Sequence, residues 1–340
     1  MEGSGETGTE PFVLCIGAAA LDLVMDVETM PAEDGRVRAR SATLAGGGPA
    51  GTAAVAMCRL GTRVSFAGSV GEDDAGTLIR AGLVRERVDV SHLRTVAGGS
   101  SRLASGIVRS AGGTRTLVAY PGTLGETVVS AALESASRAA DWIHADHEGY
   151  GVVRELRRRG VETPVSLDGG NPIADLDLDL IDIYAPAASE LLRWTGASSV
   201  EDGLARALAA GARVTIATHG ATGSTALSTV EPDLPDLTTA LRGARRAGST
   251  GTSWTIRQTA YPIARTEGST LGAGDVFHGA LLAAILKGRS LRAAMAFASA
   301  ASSISCRALD GRSAIPTAAE VDGLLGEHDT AEATGRVGWS

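Results

Sequence analysis

The apolar pattern constrains this chain most. Phe12-Val13-Leu14-Cys15-Ile16 is an unbroken apolar run stopped by Gly17. Such a run marks a strand buried on both faces of a parallel sheet. Comparable runs recur at 64–68, 142–145, 165–168, 181–184 and 214–218, with a further candidate at 226–230, and helical-period segments separate them. Strands alternating with helices specify an α/β fold with a doubly wound, mostly parallel sheet.

Local punctuation places the rest. Gly46-Gly47-Gly48-Pro49 leads into a helix over 50–60 closed by Gly61, with proline just inside the start and glycine just past the end. Further helices are expected at 73–85, at 275–287 closed by Gly288, at 291–305 and from 318. Residues 102–108 and 116–120 flank Ala111-Gly112-Gly113-Thr114 as a β-hairpin, and 36–43 reads as another strand. These form a small added β element near 20–45 and 98–121. Residues 1–10 read as a disordered lead, 231–262 as a Pro-, Gly-, Thr- and Arg-rich surface insertion, and 326–340 as a C-terminal tail.

Charge and rare residues exclude several functions. With 31 basic against 39 acidic residues the net charge is −8, which argues against nucleic acid as a partner. Lys287 is the single lysine, and it sits in Ala-Ile-Leu-Lys-Gly-Arg, outside any Gly-x-x-x-x-Gly-Lys-Ser/Thr loop. Any nucleotide chemistry here proceeds without a P-loop lysine, and Schiff-base chemistry has one candidate amine. Three separated cysteines, Cys15, Cys58 and Cys306, form no disulfide framework and read as buried free thiols. The acidic N-terminus lacks a signal-peptide core, and no apolar run reaches the roughly 18 residues of a membrane span. A cytoplasmic protein without membrane partners is expected.

The sharpest chemical segment is Ser269-Thr270-Leu271-Gly272-Ala273-Gly274-Asp275-Val276-Phe277. Small residues leave the backbone uncovered where a long helix begins, and free amides at the positive end of the helix dipole bind anions. Asp275 falls in the first turn, where a carboxylate repels a phosphate unless it has a task such as taking a proton from an attacking hydroxyl. An ordinary loop with an N-terminal Asp on the dipole is the alternative. Gly46-Gly47-Gly48-Pro49-Ala50-Gly51 formally satisfies Gly-x-Gly-x-x-Gly, with Glu72 and Asp73 downstream, but it does not follow the first core strand. Its alternative is a glycine turn approached closely by a small polar ligand.

The Gly46–Gly61 block and the Thr270–Asp275 block, in this order, resemble the two signature regions of the ribokinase (phosphofructokinase-B) family of sugar kinases. The wording Gly-Ala-Gly-Asp-Val-Phe-His-Gly-Ala-Leu is similar to the ketohexokinase and sulfofructose kinase branch. The resemblance covers about residues 11–320. It implies a ribokinase-like three-layer α/β domain over 11–325 with a small β-sheet lid, and ATP- and Mg2+-dependent phosphorylation of a ketose-like or related sugar. Asp275 becomes the general base, and the amides of Gly272, Ala273 and Gly274 the cradle for the transferred phosphoryl group. Asp22, Gly46, Gly47 and Gly48 become sugar contacts. Thr218, Gly220, Gly223, Thr270, Ser302 and Cys306 fall near ATP. Glu190 and Asp168 become outer-shell magnesium groups. A homodimer through the lid follows from its open strand edges.

The chain departs from that pattern at Ser269, where the family usually has Asp, at Gly51, where it often has Asn, and at Ala187-Ala188-Ser189-Glu190, where the Asn of Asn-x-x-Glu is lost. A monovalent cation near the second signature stays open. Arg36, Arg38 and Arg40 alternate, so on a strand they share a face, and Arg36 or Arg115 is the candidate for reading an anionic sugar. His144 and His147 form a His-x-x-His without a third metal ligand nearby, and one of them is a candidate for the sugar site. His219 and His278 are expected to be structural or solvent-facing. The alternatives are a nucleoside kinase on the same fold, a nicotinamide-dependent oxidoreductase through Gly46–Gly51, and a non-catalytic sugar-binding regulator.

Overall fold

The computed structural model describes residues 10–109, 114–241, 253–262 and 268–333. The main sheet contains β1 (Phe12–Ile16), β4 (Arg63–Gly71), β5 (Asp89–Val96), β8 (Trp142–Ala145), β9 (Val165–Asp168), β10 (Ile183–Ala185), β11 (Val214–Thr218), β12 (Ser224–Ser228) and β13 (Trp254–Gln258). Their order is β13-β12-β11-β10-β9-β8-β1-β4-β5. The run from β11 to β5 is parallel, and β12 lies antiparallel between β11 and β13. The lid is a separate sheet of β2 (Ala20–Val27), β3 (Ala39–Gly47), β6 (Arg102–Arg109) and β7 (Thr114–Tyr120), ordered β3-β2-β6-β7.

The unbroken apolar run of β1 has a simple cause. Val13 and Cys15 enter one core cluster, and Leu14 and Ile16 enter the cluster on the opposite face. Helices α1 (Pro49–Arg59), α2 (Asp74–Arg85), α7 (Ala273–Leu286), α8 (Leu291–Ser305) and α9 (Ala318–Ala333) contribute to the first cluster. Helices α3 (Ala131–Ala139), α4 (Tyr150–Arg158), α5 (Ala188–Thr195) and α6 (Val200–Ala209) cover the second. This is the expected three-layer, doubly wound arrangement. Helices α1 and α7 pack so closely that a Cβ at Gly279 would stand 2.5 Å from the Ala53 carbonyl oxygen. The single lysine ends α7, where its ammonium donates to the Leu60 carbonyl just beyond α1.

Several local expectations shift. The strand read at 36–43 lies at Ala39–Gly47, because register is set by β2, whose Ala20 pairs with Gly47 and whose Val27 pairs with Ala39. Arg36 and Arg38 therefore precede the strand, and the shared arginine face does not form. Arg40 is on it, ion-paired to Asp26 at 2.9 Å. Strands β2 and β5 were not separately legible, and the candidate at 226–230 is β12, two residues earlier. Within 231–262, Trp254–Gln258 is the edge strand of the main sheet, and Leu237, Leu241 and Ile256 are buried in the core. Helix α9 runs to Ala333, past the expected start of the tail at 326. Cys15 is buried, whereas Cys58 and Cys306 are half-buried free thiols. The lead at 1–9, most of the hairpin turn and residues 334–340 lie outside the described residues.

Candidate active site

β1 lies between β8 and β4, so the chain winds away in opposite directions on its two sides. The loops after β1 and β8 diverge there and open a crevice, the usual ligand position of an open α/β sheet. Beneath the lid this crevice is a cavity of about 390 Å³. Its walls include Asp22, Gly47 and Gly48 from the lid side, His147 and Glu148 after β8, and Leu271, Gly272 and Asp275 at the start of α7.

The loop before α7 has the geometry its small residues suggested. Gly272 is the N-cap at φ 72°, a left-handed conformation that favours glycine. Its added Cβ would stand 2.7 Å from the Gly311 Cα, so the position is closed to side chains on two counts. The N–H groups of Gly272 and Gly274 carry no partner among the described residues. They remain available at the positive end of the helix. Asp275 stands in the same first turn. Burial, then the negative charges of Asp168 and Asp146, push its carboxyl up to about 8, against the pull of His278 and Arg312.

The Gly46–Gly48 turn is shaped by two charged side chains. A Cβ at Gly47 would meet the Asp22 carboxylate at 2.1 Å, and one at Gly46 would meet the Arg312 guanidinium at 2.2 Å. Gly47 and Gly48 line the cavity, while Gly46 instead makes room for Arg312. Burial pushes Asp22 up to about 6, with Arg312 acting in the opposite direction. Its Oδ1 is buried without a partner among the described residues, as are Nε of Arg102 and Nδ1 of His147, two other wall residues.

Other wall residues were not legible beforehand. Arg102, at the start of β6, pairs with Glu148 at 2.7 Å. Asn171 lines the cavity from the loop after β9. Asp146 lies beneath, fully buried, and accepts from the N–H groups of Ala18, Ala50, Glu148 and Gly149. It fastens the loop after β1 to the start of α1. The alternation of Arg residues had drawn attention to Arg36, but Arg36 is exposed and absent from the cavity walls. Arg115 reaches from β7 to donate to the Thr270 hydroxyl, beside the anion loop rather than in the cavity.

The residues expected near ATP and magnesium lie outside the cavity walls. Thr218 ends β11, and Gly220 and Gly223 follow in a turn at φ 59° and 101°. The Ser302 hydroxyl donates to the Ala273 carbonyl at 2.7 Å and braces α8 against the anion loop, while the Cys306 thiol donates to the Ser302 carbonyl. Asp168 lies at the end of β9, 3.3 Å from His278 Nε2, one turn beyond Asp275 on α7. Burial opposes its charge, but the His278 charge and hydrogen bond and the Gly170 N–H hold it at about 2. Glu190, on α5, pairs with Arg193 at 2.6 Å. His144 is buried on Ser166, and burial holds it neutral, at about 3. No cluster of three metal-ligating side chains occurs among the described residues.

Comparison with known proteins gives a coherent result. The model of the pfkB family carbohydrate kinases matches residues 10–234 and 245–318. The chain is 25% identical over 311 residues to a ribokinase of Arabidopsis thaliana, covering 86% of this chain and 76% of that protein. It is 23% identical over 302 residues to the ketohexokinase of Mus musculus, covering 85% and 93%. Among solved structures, Arabidopsis thaliana ribokinase complexed with ribose and ATP superposes with a TM-score of 0.71 at 24% identity, covering 94% of this chain and 99% of that one.

Proposed function

The chain belongs to the pfkB family of carbohydrate kinases, ATP-dependent phosphotransferases, and on that premise we propose that it phosphorylates a hydroxyl of an uncharged sugar bound under the lid. One observation carries the reading. Asp275 and Gly272, the N-cap of α7, share a cavity with Asp22 and the Gly47–Gly48 turn, so a base, the start of an anion cradle and hydroxyl acceptors converge on one small volume.

Asp22 and the Gly47–Gly48 turn would fix the sugar hydroxyls. Asp275 Oδ would take the proton as the hydroxyl oxygen attacks the γ-phosphorus of ATP in line, and the bond to the β,γ-bridging oxygen breaks to release ADP. The amides of Gly272 and Gly274 would receive the charge spread over the phosphoryl oxygens, whereas the Ala273 N–H, expected to join them, donates to the Thr270 carbonyl at 3.4 Å. Thr218, Gly220, Gly223, Thr270, Ser302 and Cys306 border the nucleotide side in this scheme, and Arg115 approaches it from the lid. A carboxyl raised to about 8 holds its proton well once it has taken it. Closure of the lid would exclude water and limit ATP hydrolysis.

Magnesium fits as a companion of the triphosphate, which needs only one or two protein carboxylates. Asp168 at the end of β9 and Glu190 in the first turn of α5 are the outer-shell candidates. When bound, the ion would neutralise phosphate charge. A monovalent cation fits poorly. The Ser269 hydroxyl donates to the Leu309 carbonyl and its N–H to the Ala308 carbonyl, while the Asp310 carboxylate is capped by the N–H groups of Arg312 and Ser313.

The walls favour the uncharged substrate of this proposal. Asp22, Glu148 and Asp275 face the cavity, and the arginine on its wall, Arg102, is already paired with Glu148. The nucleoside alternative is disfavoured because the wall offers Tyr120 as its aromatic, with its hydroxyl bonded to Ser100. The dinucleotide alternative loses its basis because Gly46–Gly51 joins a lid strand to α1 and does not follow β1. A homodimer through the lid is supported by Leu23, Leu44 and Val118. They lie on strand positions opposite the cavity-facing row of Asp22, Ala104 and Ala119 and are 40%, 57% and 68% exposed.

The test is ADP release over a panel of neutral pentoses and hexoses, sugar phosphates and nucleosides. Sugar-dependent release with a neutral sugar, abolished by Asp275→Asn, is the expected result. Release with no member of the panel, or undiminished release in the variant, overturns the assignment.

A further inference from the structure

Arg312 occupies a singular place in the fold. It is 6% exposed, and no other lysine or arginine among the described residues is as buried. A buried guanidinium is costly unless its donors are used. Its Nε donates to Thr52 Oγ1 at 3.1 Å and its Nη2 to the Gly47 carbonyl at 2.6 Å. These contacts reach the two elements that build the sugar-side turn, the end of β3 and the first turns of α1.

Three glycines are small because of this loop. A Cβ at Gly46 would lie 2.2 Å from Nη1, and one at Gly51 would lie 2.7 Å from Nη2. Next to Arg312, Gly311 packs on Gly272, the N-cap of the anion loop. The neighbouring backbone is fixed as well. Asp310 Oδ1 accepts from the N–H groups of Arg312 and Ser313, and the Arg312 carbonyl accepts from Arg59. Asp22 stands on the Gly47 side of the turn, so carboxylate and guanidinium hold the Gly46–Gly47 backbone between them. In a cavity rich in carboxylates, the guanidinium also offsets the charges of Asp22 and Asp275.

We propose that Arg312 is a positioning residue for sugar binding, a built-in cation that clamps the Gly46–Gly48 turn against Asp22 and joins that turn to the anion loop. It acts through Gly47 and Asp22 rather than by touching the reacting atoms. The role rests on the kinase reading above. It also accounts for Gly51, since the guanidinium fills the space a side chain at that position would need.

The experiment uses the full chain with MgATP and the best neutral sugar from the panel, and measures Arg312→Gln, Arg312→Lys and Gly46→Ala. Arg312→Gln is expected to raise KM for the sugar by about tenfold or more, with KM for ATP little changed and any fall in kcat smaller than the rise in sugar KM. Arg312→Lys should recover part of that loss. Gly46→Ala displaces the guanidinium without deleting it and should give the same KM signature, and adding Arg312→Gln should then cost little more, since the clash is gone. Should Arg312→Gln fail to fold, the Gly46→Ala kinetics carry the test. An unchanged sugar KM in the folded variants, or a fall in kcat alone, overturns the proposal. A wild-type protein inactive on every sugar would instead overturn the kinase assignment.

Discussion

Replacing Asp275 with asparagine should make the protein more stable while it loses its activity. Burial and the neighbouring Asp168 and Asp146 raise this carboxyl from 3.8 to about 8. At pH 7 the unfolded chain carries the group ionised, whereas the native state must keep it protonated. At about 1.4 kcal/mol per pH unit, that mismatch amounts to about 4 kcal/mol at pH 7. Water entry and relaxation around the opened cavity reduce the net cost to about 2 kcal/mol. Asparagine keeps the shape and cannot ionise, so the variant should melt about 4 °C above the wild type at pH 7. The sign fixes a pH window. A carboxyl whose folded pKa is raised costs native stability progressively as pH climbs from about 4 to about 8. The gap between variant and wild type is therefore small at pH 4, widens to pH 8 and is flat above. Thermal melts of the ligand-free proteins over that range measure it, and turnover should fall by about 10²–10⁴. A variant that melts below the wild type at pH 8, or a gap that does not change with pH, would refute the burial and repulsion argument.

The same titration should appear in kinetics: kcat/KM for the sugar rises with pH to a plateau set by an apparent pKa near 8, and the slope steepens below about 6, where Asp22 also takes a proton. A flat profile between pH 6 and 8 would contradict Asp275 as the base. Gly272→Ala puts a Cβ at φ 72° and 2.7 Å from Gly311. It should destabilise the protein by about 1–3 kcal/mol and lower kcat by about 10²-fold, read by melts and ADP release. Replacing potassium by tetramethylammonium should leave kcat/KM unchanged, because Ser269 stands where a charged ligand would be needed and its hydroxyl is turned to the Leu309 carbonyl. Leu44→Asp should convert a lid-mediated dimer to monomer in light scattering, with the fold retained in circular dichroism.

The alternation of strands and helices, the position of β1 and the small-residue loop before α7 were legible in the sequence because each follows from local physics. An unbroken apolar run must be buried on both faces, and Gly272-Ala273-Gly274-Asp275 exposes amides at a helix start wherever it is placed. The arginine alternation at 36–40 misled for the opposite reason. Strand limits there are set by pairing with β2, which periodicity within β3 cannot report. β5 escaped notice because it is an edge strand with mostly exposed or half-buried residues and lacks the continuous apolar signal of the inner strands.

The sequence by itself determined that the chain would be a doubly wound α/β protein with a loop of small residues at a helix start and a carboxylate beside it, since these depend on neighbours within a few residues. Only the tertiary structure decided what surrounds that site. Thr52 and Arg312 meet across 260 residues, Ala18 and Asp146 across 128, and Arg102 and Glu148 across 46. Buried charge has to find its partner in space, and no local pattern records where the folded chain will bring that partner.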